Sequence, residues 1–576
     1  MHFTEKTVNG SRYRIAAQAV WDAVAGQSYS RQAILGPATM PASVKLAQLR
    51  TVGRRRIGDV GALLWVAEQL DIVGTLNRAC GWSGGPKSVS LGEMVLAVAV
   101  QRACSRAAKC HLSAFLSGAI PRVSCLSAGT FTGQEFHRLA ATATDAQLET
   151  AQIELARAVV SKFDLGTNVL AFDTTNFDTH IATTTEGALA RRGHAKSKRA
   201  DLRVVGLGVL VTETGHVPLL HRTYAGNASD HTVLEDCLGG LGRLHDALDA
   251  AEERKRPGER TIVRDGGSWG EQTELNLDVA GYYTLVSLPL GTKAAEKALV
   301  HAASRGAMKP LSGRLRHVRA ARLRTPVGDL DRTLVVVDSQ ELLAGQKRGI
   351  AAALKKAKVE LAKLERRVAA RRIRRDALQA RIAKALRREH LASFVVANVG
   401  GTEDAPTLEW SVDASRRRDL ERTRLGKRVL CTDRHSWSNE RIVTACRGQW
   451  SVEEIFRRAK KGGVVAWGPS HQWTDTSLRL HTFATVLGLT LVSLARLALG
   501  TTKSARAMMK TLAEIEATQV TTATGGMGRR PTWLLPPNIT PWQKHAIEIF
   551  ELDRWMPTLL STMPTRRKRP AIYEAA

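Results

Sequence analysis

Five short apolar runs constrain what the middle of this chain can become. Residues 168–172, 203–211 (RVVGLGVLV), 217–221, 261–264 and 282–288 (YYTLVSL) are each too short for a globular helix, and most are rich in β-branched or aromatic residues. Among them SDHTVLEDCLGGLGRLHDAL, residues 229–248, carries the apolar spacing of a helix. Strands alternating with helices predict an α/β fold. Two of the runs stop on a carboxylate: Asp173 follows the first, and Asp265, with Gly266 and Gly267 after it, follows the fourth. An aspartate at a strand end is either a turn or cap residue or a ligand.

The flanks follow other patterns. Residues 57–145 read mostly as helices, and Ser90 three residues before Glu93 is a capping-box pattern before the apolar run SLGEMVLAVAVQRACS. Residues 1–55 show no clear periodicity and end in the basic RTVGRRR. Farther along, Ile350, Leu354, Ala357, Leu361, Leu364 and Val368 alternate spacings of four and three, and Leu378, Ile382 and Ala385 continue that register. This coiled-coil stretch is lopsided in charge: between Lys347 and Glu389 lie 16 Lys or Arg and four acids. It reads either as a helical hairpin with solvated basic faces or as an arm that tracks DNA. RVLCT at 428–432 is a further strand, a helix starts at Ser451, and a long apolar helix covers roughly 477–499.

Charge narrows the partners. Lys and Arg number 84 against 54 Asp and Glu, a net +30. Such an excess repels itself, and a polyanion relieves it, so nucleic acid is the expected partner. A membrane is not expected: the best apolar window, residues 482–495, is shorter than the roughly 20 residues a spanning helix needs. The N-terminus shows no apolar signal-peptide core, and the seven cysteines contain no CxxC pair, so reduced thiols in a cytoplasm are expected.

A third carboxylate stands out in RGQWSVEEIFRRAKK, residues 447–461. Ser451 and Glu454 have capping-box spacing, and Val452, Ile455, Phe456 and Ala459 form an apolar stripe. Glu454 thereby has a structural task. Glu453 borders the stripe, with Arg457 and Lys460 four and seven residues on along its own face. Two strand-end aspartates and a helix glutamate can hold two divalent cations about 4 Å apart. Ligation by oxygen alone suits Mg²⁺, with Mn²⁺ as the alternative. The basic loop RRGHAKSKR (191–199), with His194, Lys196, Lys198 and Arg199, is read as a phosphate-contacting loop against the plainer reading of a solvated one. Asp178 has opposite parity to Asp173 and is expected to be structural, as are His471 and His481. Trp450, Trp467 and Trp473 flank the glutamate helix and are core residues or base-stacking platforms.

The segments FDTTNFDT, RRGHAKSKRADLRVVGLGVLV, GHVPLLHRTYAGNASD, IVRDGG, RVLCTDRHSWSNERIVTACRGQWSVEEIFRRAKK and PSHQWTDTSLRLHTFA, in this order, resemble the DDE transposases of the insertion-sequence-four superfamily, most of all its sixteen-thirty-four branch. The resemblance runs from about residue 60 to 500. It implies an RNase H-like core, a mixed sheet flanked by helices, in which Asp173, Asp265 and Glu453 are catalytic and hold two metal ions. In the family's C-terminal signature Glu453 and Lys460 fit the last two positions, while Cys446 stands where a tyrosine is usual and Gln449 where an arginine is usual. Arg447 is expected to cover part of that arginine's phosphate contact, beside Lys460 and Arg457. The implied organisation is an irregular leader (1–55), a helical N-terminal DNA-binding module (56–150), the first part of the core (151–289), an insertion domain with basic coiled-coil helices (290–429), the second part of the core (430–500), and a C-terminal segment with a basic tail (501–576). The implied activity is cleavage of element ends and joining of 3′-hydroxyls to target DNA, by a bacterial protein of the nucleoid acting as a homodimer on terminal inverted repeats. A nuclease of the same fold and an inactive, transposase-derived DNA-binding protein are the alternatives.

Overall fold

The computed structural model describes residues 2–8, 11–22, 27–38, 49–83, 88–119, 131–228, 230–251, 260–388, 390–460, 462–468, 470–522, 532–534 and 539–552. The chain divides into two compact units. Residues 1–260 and 449–576 make the first, and residues 261–448 make the second.

The first unit opens with strands, where an irregular leader was expected. β1 (His2–Val8), β2 (Ser11–Asp22) and β3 (Gln27–Pro37) form an antiparallel sheet, and β4 (Leu49–Arg56) carries the basic run. Ile15, Ala16, Ala17 and Val20 are buried in β2 among charged and polar neighbours, without the two-residue alternation that marks a strand in sequence. Six helices follow: α1 (Gly58–Gln69), α2 (Ile72–Ala79), α3 (Leu91–Cys104), α4 (Leu112–Gly118), α5 (Gly133–Ala140) and α6 (Asp145–Lys162). The capping box at Ser90 is formed: the Glu93 N–H donates to Ser90 Oγ and the Ser90 N–H to the Glu93 carboxylate. α3 is buried almost all round and lies in the core of the first unit.

Next come β5 (Val169–Thr179), β6 (Arg203–Thr212) and β7 (Pro218–Ala225), each antiparallel to its neighbour, then α7 (Asp230–Ala251). β5 does not end at Phe172. Thr174, Thr175, Phe177 and Thr179 favour extended backbone and carry the strand seven residues farther. Asp173 therefore lies within the strand, opposite Val209, and not at its end.

The second unit holds β8 (Thr261–Arg264), α8 (Glu271–Val279), β9 (Tyr283–Leu288), α9 (Lys293–Ala303), β10 (Lys309–Pro310), β11 (Val318–Val327) and β12 (Leu330–Ser339). It continues through α10 (Gln340–Ala369), α11 (Arg375–Leu386), α12 (Leu391–Phe394), β13 (Val395–Gly401), β14 (Pro406–Val412), α13 (Ala414–Thr423), β15 (Lys427–Thr432) and α14 (Asn439–Arg447). β8 is parallel to β9, and β9, β15, β12 and β11 pair antiparallel in that order, so the sheet is mixed. Ile350, Leu354, Ala357, Leu361 and Leu364 of α10 are buried against Leu378 and Ile382 of α11 and against Phe394 and Val395. The unit also takes in β8 and β9, so its boundary falls earlier than residue 290.

The chain re-enters the first unit with α15 (Trp450–Ala459), α16 (Asp475–Ala498), α17 (Ala505–Ala513), β16 (Glu516–Thr522), β17 (Thr532–Leu534) and α18 (Pro541–Ile549). β16 pairs antiparallel with β4. α16 is the one helix among the described residues long and apolar enough to cross a membrane, and it is buried inside this unit against α1, α3 and β7. The six described cysteines form no disulfide, and the basic tail at 565–570 lies outside the described residues.

Buried histidines make the first unit acid-sensitive. His245 on α7 is 3% exposed, and burial, with Arg260 next in weight, holds its imidazole down at about 3. His481 on α16 is fully buried; burial, then Lys109 and Arg102, push it well below the ordinary value. Unfolded, each takes up a proton near pH 6.5. Their contribution is therefore fully present above that pH and is lost as pH falls, because the unfolded chain then binds more protons. His245 alone is expected to remove roughly 2 kcal/mol between neutral pH and pH 5. Thermal melts at the two pH values check this, with His245→Phe expected to reduce the difference.

Candidate functional site

α15 packs on β5 and β6 within the first unit and presents its polar side outward. Asp173 on β5 is half-buried, and its Oδ1 accepts the Thr174 N–H at 2.7 Å. Glu453 is exposed on α15, and Lys460 caps the end of that helix. The Lys460 amine lies below the ordinary lysine range. Burial is the main cause, the like charge of Lys196 adds to it, and Asp173 opposes both. Lys460, Lys196 and Asp173 thus share one electrostatic neighbourhood.

The loop 191–199 is fastened to β5 by its backbone and by the side chains of Lys196 and Ser197. Asn176 Nδ2 donates to the His194 carbonyl at 2.8 Å, and Asn176 Oδ1 accepts the Lys196 N–H at 3.0 Å. Asp178 Oδ1 accepts the Ser197 hydroxyl at 2.7 Å, which gives Asp178 the structural task expected of it. Lys196 Nζ donates to the Thr174 carbonyl, beside Asp173. Gly193 makes the close approach possible: a Cβ there would stand 2.0 Å from the Gly226 carbonyl oxygen. Arg191, Arg192, His194, Lys196, Lys198 and Arg199 are all exposed. Arg199 is paired with Asp201 at 2.5 Å, so its charge is partly spoken for.

Two local readings of α15 are corrected. The helix starts at Trp450 with Gln449 as an N-cap that makes no side-chain bond, and Ser451 is fully buried inside it, so the Ser451–Glu454 capping box does not form. Glu454 instead binds exposed Arg457 and, at 3.1 Å, Arg458. Arg458 is buried, not solvated, and donates to Ser493 Oγ at 3.0 Å. Arg457 is therefore engaged with Glu454, which weakens its claim to a phosphate.

In the second unit, Asp265 is exposed at the end of β8. Its carbonyl accepts the Ser268 hydroxyl at 2.8 Å and the Ser268 N–H at 3.1 Å. Behind it Arg264 is fully buried, donating to Glu274, to the Ser268 carbonyl and to Thr284 Oγ1. Nothing in the spacing of the sequence announced this pair. Cys446 on α14 is buried, which is the main reason its thiol is pushed up to about 11; Arg428, Asp265 and Arg447 all act on it at lesser weight. Asp265 and exposed Arg447 thus lie around the Cys446 position of the signature.

The carboxylates are distributed over both units, with Asp173 and Glu453 in the first and Asp265 in the second. Carboxylate oxygens are the right donors for Mg²⁺ or Mn²⁺. Among the described residues, no three His, Cys, Asp or Glu side chains are grouped to hold an ion. The ammonium groups of Lys460 and Lys196 lie in the neighbourhood of Asp173.

Of the tryptophans, Trp467 is core: it stacks on Phe177 with ring centres 5.0 Å apart and donates to Thr482 Oγ1. Trp450 and Trp473 are exposed. His481 is structural, with Nε2 2.8 Å from the Trp467 carbonyl and Nδ1 3.0 Å from Lys109 Nζ, whereas His471 is exposed.

No protein-family model matches the chain, and no curated protein matches it. Among solved structures it is similar to a piggyBac transposase synaptic complex with hairpin DNA. That similarity has 10% identity over 80% of this chain and 81% of the other, at a TM-score of 0.36. A likeness so loose carries no argument, and the reading of function rests on the chain's own residues.

Proposed function

We propose that the chain is a DNA transposase of the RNase H-like, three-carboxylate kind, acting on the ends of an insertion sequence. The observation that carries this reading is the arrangement on β5 and α15. A half-buried aspartate shares its surroundings with two lysines, beside a helix that exposes Glu453 and a loop that exposes four further cations. That is a surface for a phosphodiester next to acidic groups suited to metal-assisted attack.

Asp173, Asp265 and Glu453 are the carboxylates that would carry Mg²⁺ or Mn²⁺. Bound ions of this kind activate a water or a 3′-hydroxyl and stabilise the leaving oxygen. Lys460 and Lys196 hold the strand's phosphate against Asp173, and the hydrogen bonds that tie Asn176 and Asp178 to the loop keep its cations in place for neighbouring phosphates. Arg447, exposed on α14, would contact a further phosphate of the strand. Terminal inverted repeats and target DNA are the substrates, and a homodimer on DNA supplies one subunit for each end.

The test is incubation with an oligonucleotide bearing the element's end, a target plasmid and Mg²⁺. Cleaved ends and joined strand-transfer products are expected. Cleavage without joining would reduce the reading to a nuclease, and salt-sensitive binding with neither would leave a DNA-binding protein. Lys460→Ala is expected to weaken binding of all sequences alike and to lower the slope of log affinity against log salt by about one, measured by fluorescence anisotropy.

A further inference from the structure

The basic run at the end of β4 has no part in the surface just described. Its last arginine instead helps to line a separate cavity in the first unit, of about 190 Å³. Arg56, Arg106, Arg506 and Lys510 surround it, against one carboxylate, Asp59. Asp59 is 1% exposed and already answered: Arg56 pairs with it, and the Val60 N–H donates to it at 2.9 Å. Arg56 also donates to the Cys104 carbonyl at 3.2 Å, and the Cys104 thiol is held neutral by burial first and by Asp59 next. Arg106, Arg506 and Lys510 are exposed, and among the described residues none of them is ion-paired to a carboxylate.

The far wall is the turn that follows α15. Arg106 donates to the Gly462 carbonyl at 2.9 Å, and Arg506 donates to the same oxygen. One carbonyl oxygen thus gathers two guanidinium groups that would otherwise repel each other. The turn itself is built for close approach. A Cβ at Gly463 would stand 1.9 Å from the Arg458 carbonyl oxygen, and the Val465 N–H donates back to that same oxygen at 3.1 Å. The chain doubles back on α15 and leaves a rigid shelf beneath the cations.

Gathering like charges around a hollow is costly without an anion to take them up. Guanidinium forks beside an ammonium match the oxygens of a phosphoryl group in geometry and in charge. We propose that this cavity is a phosphate-binding site, distinct from the Asp173 surface, whose occupant is a phosphoryl group. A backbone phosphate of a bound DNA strand and a free or nucleotide phosphate share that chemistry. The strand source rests on the function proposed above; the site does not.

The experiment compares the full-length parent with R106A/R506A/K510A and with a control, K162A/K309A/K544A, that removes three exposed cations elsewhere. One arm measures anisotropy of a labelled 30-mer duplex across a salt series. The other measures the rise in melting temperature when inorganic phosphate replaces chloride at equal ionic strength. For a strand phosphate, the pocket triple loses at least tenfold in duplex affinity at 100 mM salt, with the log–log salt slope lower by about one, and loses the phosphate-induced rise. The control changes affinity by less than threefold and keeps the rise. K510A, which touches neither the turn nor its carbonyl, moves both readouts in the same direction by a smaller amount, so a loosened turn cannot account for the result. Loss of the phosphate response alone supports the site with a free phosphate as its occupant. A parent that binds no DNA but keeps a pocket-dependent phosphate response would sink the transposase reading and leave the site standing. If neither readout moves, or if the control matches the pocket triple, the proposal is overturned.

Discussion

Asp173→Asn is expected to cut DNA cleavage by a factor on the order of 10³ or more, the scale on which loss of a charge-stabilising group in an active site registers. The substitution is nearly isosteric. Its side-chain oxygen can still accept the Thr174 N–H, and β5 keeps its pairing with β6, so the fold is preserved. What is lost is the negative charge set against Lys460 and Lys196. Duplex affinity is expected to hold or to rise slightly, since a carboxylate near phosphates repels them. Glu453→Gln is expected to behave alike, because Glu453 is exposed and forms no ion pair among the described residues. Asp178→Asn is the control. It sits five residues along the same strand but bonds only the Ser197 hydroxyl, and cleavage should fall by less than tenfold. Single-turnover cleavage of an end-bearing oligonucleotide reads all three. If Asp173→Asn or Glu453→Gln cuts within tenfold of the parent, the assignment of these carboxylates is wrong.

Arg264→Ala is expected to destabilise the second unit by about 3–5 kcal/mol, as breaking a buried ion pair does. Arg264 is fully buried, with bonds to Glu274, to the Ser268 carbonyl at 2.9 Å and to Thr284 Oγ1 at 2.9 Å. Without it Glu274, also buried, keeps only Arg332 at 4.0 Å. The damage reaches the site, because Arg264 is joined to Asp265 and holds the carbonyl of Ser268, whose hydroxyl fastens the Asp265 turn. Cleavage should therefore fall along with stability. The double variant R264M/E274L separates the two effects. Removing both charges while keeping the volume should restore most of the stability, whereas cleavage should stay low because the turn is no longer anchored. Urea titration and the cleavage assay together check this.

The elements whose apolar pattern has a single period were legible in the sequence. β6, β8, β9, β15, α3 and α16 fall within a few residues of where their runs of Val, Ile and Leu placed them, and the heptad positions of α10 are buried as their spacing required. Where polar residues interrupt the pattern, the reading stopped short. Asp173 looked like a strand end because Thr, Asn and Asp follow it, yet threonines and a phenylalanine are good strand residues, and the strand runs on. Residues 1–37 hid their strands among charged neighbours. The capping box at Ser451 failed although its spacing is as good as that at Ser90. The difference is burial: Ser451 lies inside the first unit's core, and the N-cap position falls two residues earlier, at Gln449. For the site, residue types and parity singled out Asp173, Glu453, Lys460 and the 191–199 loop. Glu454 with Arg457 follows the i,i+3 spacing of a helix, whereas Arg199 with Asp201 and, behind Asp265, Arg264 with Glu274 depend on the fold.

The chain leaves its first unit at residue 260 and comes back only at 449, and this sets an order of events during synthesis. β4 has no partner until β16 has emerged, and β5 waits equally long for α15 to pack on it. Residues 261–448 by then have been fully made and can already have folded as a unit. Loop-closure entropy grows only slowly with length, so a closure long in sequence is less costly when the intervening chain is already compact than when it is slack. The half-finished first unit is meanwhile a nascent chain with apolar strand and helix faces uncovered, and its exposure to aggregation lasts as long as the ribosome takes to cross the second unit.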